Sequence, residues 1–269
     1  MIILLTGASS GIGRAAAQCL LSQGHTVYCA ARRVERMAGL AEQGAHLLAM
    51  DVTDDASMQQ GVDTLLAEQG RVDVLVNNAG YGSFGPLECV PLEEARRQFD
   101  VNVFGLARLT QLLLPVMRAQ GGGRIVNVAS MAGHFCEPRG DWYHATKYAV
   151  VALSECLRME TRGMGIRVSL IEPGAVRSEW SDIAMNHLED TCRDTVYAAG
   201  AARQSRLFRW AYARLATSPE VIACAITHAA TARRPRLSYR RGLGATTAPL
   251  LKHLLPARLF DALMCRIFG

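Results

Sequence analysis

"MIILLTGASSGIG", residues 1–13, consists of a short apolar run, a glycine-punctuated turn and the opening of an amphipathic stretch. The apolar run predicts a buried strand, and the stretch 12–23 predicts a helix. Gly7, Gly11 and Gly13 permit a tight turn and a close approach of backbone to a ligand. With Ser9, Ser10 and Ile12 they frame the free N–H groups and positive dipole end of that helix, which together can cradle a pyrophosphate. No register fits G-x-x-x-x-G-K, so the turn is not a Walker A loop. The opening run is too short for a signal-peptide core and lacks a basic flank, which leaves the strand reading.

Working outward, the same alternation continues. Strands are predicted at "MIILLT", "TVYCAA", "AHLLAM", "VDVLVNN", "RIVNVAS" and "IRVSLIEP", with helical patterns between them at 12–23, 34–43, 55–69, 92–119 and 142–163. Their apolar residues run consecutively rather than alternating, which predicts strands buried on both faces of a parallel sheet. Strand and helix in turn predict a doubly wound α/β fold, one dinucleotide-binding domain over residues 1–269 with helices on both faces. Residues 177–216 read as an irregular helical insertion on the substrate side and 219–232 as a helix. "RLSY" reads as a last strand, and 240–269 as a C-terminal helical extension punctuated by Pro249 and Pro256.

Composition removes several classes of function. The eight cysteines are scattered without a C-x-x-C pair, and no His or Cys cluster has ligand spacing, so no metal site is expected. Scattered thiols of this kind suit a reducing compartment, and a cytoplasmic location is the expectation. No apolar run approaches the ~20 residues that span a bilayer. Residues 1–200 carry 17 basic and 22 acidic residues, whereas 201–269 carry 12 and two. That excess reads as a solvated arginine surface on C-terminal helices, with nucleic acid or anionic lipid as the alternative, and no nucleic-acid partner is expected. The apolar stretch 245–269 reads as packing over a cleft or an interface, with a membrane surface as the alternative.

Of the 29 basic residues only Lys147 and Lys252 are lysine. Lys147 ends "YHATK", four residues after Tyr143, so the two share one helical face. An ammonium there would lower the phenol pKa and let Tyr143 exchange a proton with an alcohol or carbonyl oxygen. Ser130, at the end of the fifth strand, would hold that oxygen as charge develops on it. Lys252 lacks such neighbours and reads as a surface residue, and Tyr148, with Ala152 at i+4, reads as core. The second strand ends in "CAARRVE" with no acid before Glu35, so Arg32 and Arg33 can pair with a 2′-phosphate and NADP(H) is favoured over NAD(H).

Taken in order, "TGASSGIG", Asp51-Val52, "NNAG" at 77–80, "NVFG" at 102–105, Ser130, Tyr143-x-x-x-Lys147 and Pro173-Gly174 resemble the short-chain dehydrogenase/reductase family over roughly residues 1–180. The resemblance implies a Rossmann-like fold and a nicotinamide dinucleotide, with Tyr143 as general acid/base and Ser130 orienting substrate. It implies that Lys147 also binds the nicotinamide ribose and that Asn102 holds a relay water. Asp51 and Val52 would flank adenine, Asn78, Ala79 and Gly80 would line the cleft, and Pro173, Gly174, Val176 and Ser178 would approach the carboxamide. The pattern is most similar to hydroxysteroid and retinol dehydrogenases and related bacterial reductases.

A lipophilic or aromatic alcohol or ketone is the expected substrate, with Phe84, Phe135, Trp142, Trp180 and Met185 as candidate walls. His134, His144 and His187 read as cleft-bordering residues with packing roles. A homodimer or homotetramer, with 92–119 and 142–163 at the subunit contacts, is the expected assembly. The rival from another class is a catalytically silent protein that senses the nucleotide.

Overall fold

The computed structural model describes residues 1–269. In chain order the elements are β1 (Ile2–Thr6), α1 (Gly11–Ser22), β2 (Thr26–Ala31), a 3₁₀ turn (Val34–Met37), α2 (Ala38–Ala41), β3 (His46–Ala49), α3 (Asp55–Gln69) and β4 (Val74–Asn77). They continue with α4 (Leu92–Phe99), a π-turn (Asp100–Phe104), α5 (Gly105–Ala119), β5 (Gly123–Val128), a 3₁₀ turn (Met131–Gly133), α6 (Asp141–Glu160) and β6 (Ile166–Pro173). Then follow α7 (Trp180–Cys192), α8 (Ala198–Leu215), α9 (Pro219–Thr231), β7 (Ser238–Arg241), α10 (Thr247–Leu254) and α11 (Ala257–Phe268).

All seven strands run parallel in the order β3-β2-β1-β4-β5-β6-β7. The sheet is buried on both faces, as its unbroken apolar runs require. Ile3 and Leu5 join Leu20 of α1 and Ile222 and Ile226 of α9 in one core cluster. Leu4, between them, points the other way, into a cluster with Leu65 of α3 and Leu109 and Leu113 of α5. The strand order reverses between β1 and β4, and such a crevice at the carboxyl ends of the strands is where open α/β sheets take ligands.

Two helical stretches differ in detail from their sequence patterns. The 34–43 stretch is mostly a 3₁₀ turn followed by a single α-turn, and the 92–119 stretch is broken by the π-turn. The extra residue in a π-turn rotates the side chains around it, and here Asn102 ends up 2% exposed. Gly105 follows, and a Cβ there would meet the Val52 carbonyl oxygen at 2.4 Å, so only glycine lets α5 lie this close to the loop after β3. Tyr148 also departs from expectation: it is 40% exposed rather than core, because the buried stripe of α6 runs through Tyr143, Lys147, Val150 and Ser154.

Under the sheet a buried polar chain ties β4, β5 and α6 together. Asn77 Nδ2 donates to Asn127 Oδ1 at 3.0 Å, and Asn127 Nδ2 donates to Ser154 Oγ at 2.9 Å. This chain fixes the helix that carries Tyr143 against the strand that leads into Ser130. Asn127→Ala orphans donors and acceptors on both sides, so chemical denaturation of this variant is expected to show a loss of ~1–3 kcal/mol.

Candidate active site

The glycine turn is packed too tightly for any other residue at two positions. Gly7 has a left-handed φ of 70°, and a Cβ on it would meet Asn78 Nδ2 at 2.8 Å. A Cβ on Gly13 would sit 2.1 Å from the Gly7 carbonyl oxygen. Thr6, which sequence reasoning passed over, holds the crevice in shape. Its hydroxyl accepts from the N–H groups of both Asn78 and Ala79 at 3.0 Å, and Asn78 Nδ2 returns a bond to the Thr6 carbonyl. The N-terminus of α1 therefore faces a fixed, side-chain-free space. Gly7, Ser9, Ser10, Gly11, Ile12 and Gly13 all border it, as do Asn78, Ala79 and Gly80. This cradle and the extended cleft beyond it fit a nicotinamide dinucleotide, with the helix terminus available for the pyrophosphate.

Arg32 and Arg33 project from the end of β2, exposed, into the same cleft. Asp51 and Val52 border it from the loop after β3, where the Asp51 carboxylate accepts from Thr53 N at 3.0 Å and Thr53 Oγ1 at 2.8 Å. Pro173, Gly174, Val176 and Ser178 close the far side. One clasp across the cleft had no signal in the sequence. Arg36 makes a bidentate ion pair with Glu179, its Nη2 reaching Oε1 at 2.5 Å and its Nη1 reaching Oε2 at 3.1 Å. The contact joins the segment after β2 to the segment after β6 and holds the Glu179 carboxyl below the usual carboxylate range.

The structure brings the four residues expected to carry chemistry into one neighbourhood. Lys147 is 7% exposed, and its Nζ donates to the Val128 carbonyl at 3.2 Å. The same Nζ stands 5.9 Å from the centre of the Tyr143 ring. Ser130 lies two residues past β5 and caps the 3₁₀ turn Met131–Gly133, its hydroxyl accepting from Ala132 N at 3.1 Å. Asn102 Oδ1 accepts from Tyr81 N at 3.0 Å, and its Nδ2 donates to the Tyr81 carbonyl at 2.9 Å and to Thr146 Oγ1 at 3.1 Å. Gly80 separates Asn102 from Lys147: a Cβ there would lie 3.0 Å from Asn102 Oδ1 and 3.7 Å from Lys147 Nζ.

The electrostatics differ from the sequence expectation in one respect. Burial pushes the Tyr143 phenol up to about 12, opposed only in part by its hydrogen bond with Ser130. Burial also pushes the Lys147 ammonium down to about 8. Desolvation dominates both shifts.

This cleft continues into a second, largely apolar space, the two together forming one cavity of about 1080 Å³. Phe84 and Trp180 flank Tyr143, with ring centres 5.5 and 5.1 Å from it, and Phe135 borders the cavity as well. Two expected walls lie elsewhere. Trp142 turns away to pack edge-on against Phe99, and Met185 is sealed in the small core formed by α7. Their places are taken by Phe208 and Tyr212 of α8 and by Leu263, Ile267 and Phe268 of α11. His144 and His187 border the cavity, whereas His134 is hydrogen-bonded to Glu172 outside it. Lys252 lies over the Phe260 ring, 4.8 Å from its centre.

Residues 1–188 match the family model described as short chain dehydrogenase. The chain is 33% identical over 260 residues to VdlC of Helicobacter pylori, a probable short-chain type dehydrogenase/reductase, covering 97% of this chain and 95% of that protein. It is 40% identical over 181 residues to the 3-ketodihydrosphingosine reductase of Bacteroides thetaiotaomicron, covering 67% and 66% of the two chains. Among solved structures it is similar to a short chain dehydrogenase/reductase from Burkholderia phymatum in complex with NAD, with a TM-score of 0.79, 28% identity and coverage of 94% and 92%. It is also similar to the closed form of a serine dehydrogenase complexed with NADP+, with a TM-score of 0.75, 29% identity and coverage of 90% and 94%.

Proposed function

The chain belongs to the short-chain dehydrogenase/reductase family, and from that premise we propose that it interconverts a lipophilic secondary alcohol and a ketone with NADP(H). The observation that carries this reading is the convergence of Ser130, Tyr143 and Lys147 beneath an aromatic-walled cavity continuous with a dinucleotide cleft. The 40% identity to a 3-ketodihydrosphingosine reductase supports a lipophilic ketone as substrate.

The bound nicotinamide supplies or accepts the hydride. The remaining chemistry belongs to residues of this chain. Ser130 donates a hydrogen bond to the substrate oxygen and fixes its position. Tyr143, protonated at neutral pH because burial raises its pKa, gives its proton to that oxygen during reduction. Lys147 has one bond to the Val128 carbonyl and retains donors for ribose hydroxyls and for the proton path. Asn102 holds the Tyr81 backbone beside that path, where a relay water would bind. With a dinucleotide bound, Asp51 and Val52 would flank its adenine, and Val176 and Ser178 would hold its carboxamide.

The preference for NADP(H) rests on Arg32 and Arg33, since similar structures hold either dinucleotide. Both guanidiniums project into the cleft and no acid occupies the end of β2. One domain accommodates these roles, with 177–216 and 240–269 forming its substrate side. The open apolar groove between Phe99, Phe104 and Trp142 suits contact with a second copy in a homo-oligomer.

One observation favours a peripheral membrane variant of this reading. Leu250, Leu254 and Leu259 are exposed beside Lys252 and Arg258, next to cavity-lining Leu251 and Ile267. No helix is long and apolar enough to cross a membrane, but this face suits the surface of an anionic bilayer. Sedimentation with phosphatidylglycerol vesicles should bring down the full chain but not a Leu254→Glu, Leu259→Glu variant. Equal sedimentation of both removes the membrane reading.

Tyr143→Phe should keep NADPH binding, read by fluorescence titration, while turnover falls ~10²–10⁴-fold. A wild-type chain that binds NADPH yet reduces nothing in a broad carbonyl panel is instead the silent sensor. Arg32→Ala should weaken NADPH by about tenfold or more while NADH affinity stays within about twofold. Equal losses for the two cofactors would overturn the assignment of the 2′-phosphate to this arginine.

A further inference from the structure

The turn that follows Ser130 is gripped by the residue next to Tyr143. Ser130 Oγ accepts from Ala132 N at 3.1 Å, which leaves its own proton to be donated into the cleft, toward a substrate oxygen. The turn closes with Gly133 N donating to the Ser130 carbonyl at 3.1 Å and His134 N to the Met131 carbonyl at 3.0 Å. Neither bond uses the Ala132 carbonyl. His144 Nδ1 meets that oxygen at 2.9 Å, so Ala132 is held by both its polar groups, one facing Ser130 and the other facing α6.

One tautomer fits this contact. An unprotonated Nδ1 would set its lone pair against those of the carbonyl, so Nδ1 carries the proton and donates. Burial holds the imidazole below the usual histidine range, and Nε2 keeps a lone pair with no hydrogen-bond partner. His144 is 2% exposed and closely packed. The Phe135 ring stands edge-on with its centre 5.6 Å away, and the Tyr143 ring centre lies at 6.1 Å. A Cβ on Gly140 would lie 2.7 Å from His144 Cδ2 and 3.1 Å from Phe84 Cε1, so a side chain there would displace the ring. The chain reaches Gly140 through Arg139, which adopts a left-handed φ of 65° and whose carbonyl accepts from Gly85 N at 2.7 Å.

We propose that His144 is a positioning residue, whose bond from Nδ1 to the Ala132 carbonyl sets the place and direction of Ser130 Oγ relative to the Tyr143 phenol. Successive residues of a helix point about 100° apart. Tyr143 therefore faces the cleft while His144 reaches the turn, and a single turn of α6 fixes both groups that must hold the substrate oxygen. The turn lies close enough for this: a Cβ on Gly133 would meet the Lys147 carbonyl oxygen at 2.8 Å. An apolar side chain of similar size would fill the slot and leave the Ala132 carbonyl buried without a donor. This role rests on the carbonyl-reductase reading, and the experiment below separates the two.

His144→Leu and His144→Asn separate the hydrogen bond from the packing. The amide nitrogen of asparagine stands about where imidazole Nδ1 stands and can donate to the Ala132 carbonyl, whereas leucine fills space without a donor. Kinetics are read with NADPH and the ketone that the wild type reduces fastest in a carbonyl panel. His144→Leu should lower kcat about 10- to 100-fold, while KM for the ketone changes less than about threefold and Kd for NADPH less than about twofold. His144→Asn should recover most of the loss. In a Ser130→Ala background, adding His144→Leu should cost less than about twofold more, because a residue that acts through Ser130 then has nothing to position.

Crystal structures of the same variants read position without turnover. Ser130 Oγ should keep its wild-type place and its bond from Ala132 N in His144→Asn, and be displaced by about 0.5 Å or more in His144→Leu. If His144→Leu does not fold, His144→Gln replaces it, since its longer side chain carries the amide to the position of Nε2, away from the Ala132 carbonyl. An undisplaced Oγ in the variant without the donor, losses that are fully additive with Ser130→Ala, or His144→Asn no better than His144→Leu each overturn the proposal. A wild type that reduces no carbonyl, with Oγ displaced in His144→Leu and retained in His144→Asn, removes the reductase reading and leaves His144 as the residue that positions Ser130.

Discussion

A buried ammonium needs partners, and the fold gives Lys147 only one, the Val128 carbonyl at the end of β5. Much of the site can be understood as the surroundings of that incompletely satisfied charge. Desolvation lowers the ammonium, and the donors it has left point into a cleft where ribose hydroxyls can take them. The π-turn rotates Asn102 into the space beside it, and Gly80 keeps that space open because any side chain would fill it. The Asn77–Asn127–Ser154 chain prevents α6 from sliding along β5, and so keeps the lysine at the correct depth.

The parts of this arrangement that could be read from the sequence are those fixed by local backbone geometry. Gly7 and Gly13 stand where a Cβ would strike backbone, and Tyr143 and Lys147 share a face because the helix has 3.6 residues per turn. Strand positions were legible because burial on both faces leaves unbroken apolar runs. What escaped the sequence reading depends on tertiary approach. Arg36 and Glu179 are 143 positions apart and meet only because the segments after β2 and β6 converge over the crevice. Trp142 and Tyr143 are neighbours in sequence, yet successive residues of a helix diverge by about 100°, so one lines the cavity and the other packs on Phe99. The direction of the Tyr143 shift was missed because sequence spacing reveals a nearby charge but not how much solvent is lost around it.

The chain also separates its chemistry from its selectivity along its length. The family model ends at residue 188, and every residue with an expected chemical role lies before it. Phe208, Tyr212, Leu263, Ile267 and Phe268, which shape the apolar half of the cavity, lie beyond it. A lipophilic wall demands volume and low polarity rather than particular atoms, which is why residues of these helices could not be singled out from the sequence. The aromatic pair Phe84 and Trp180 stands at the seam between the two regions.

Arg139 sits at that seam in a second sense. Its guanidinium ties Gln204 of α8 and the Phe268 carbonyl of α11 to the loop before α6, and Arg203 adds bonds to the Gly269 carbonyl. The end of the final helix, two of whose residues wall the cavity, is thus joined to α8 and to that loop through one guanidinium, so the apolar wall and the loop are mechanically coupled.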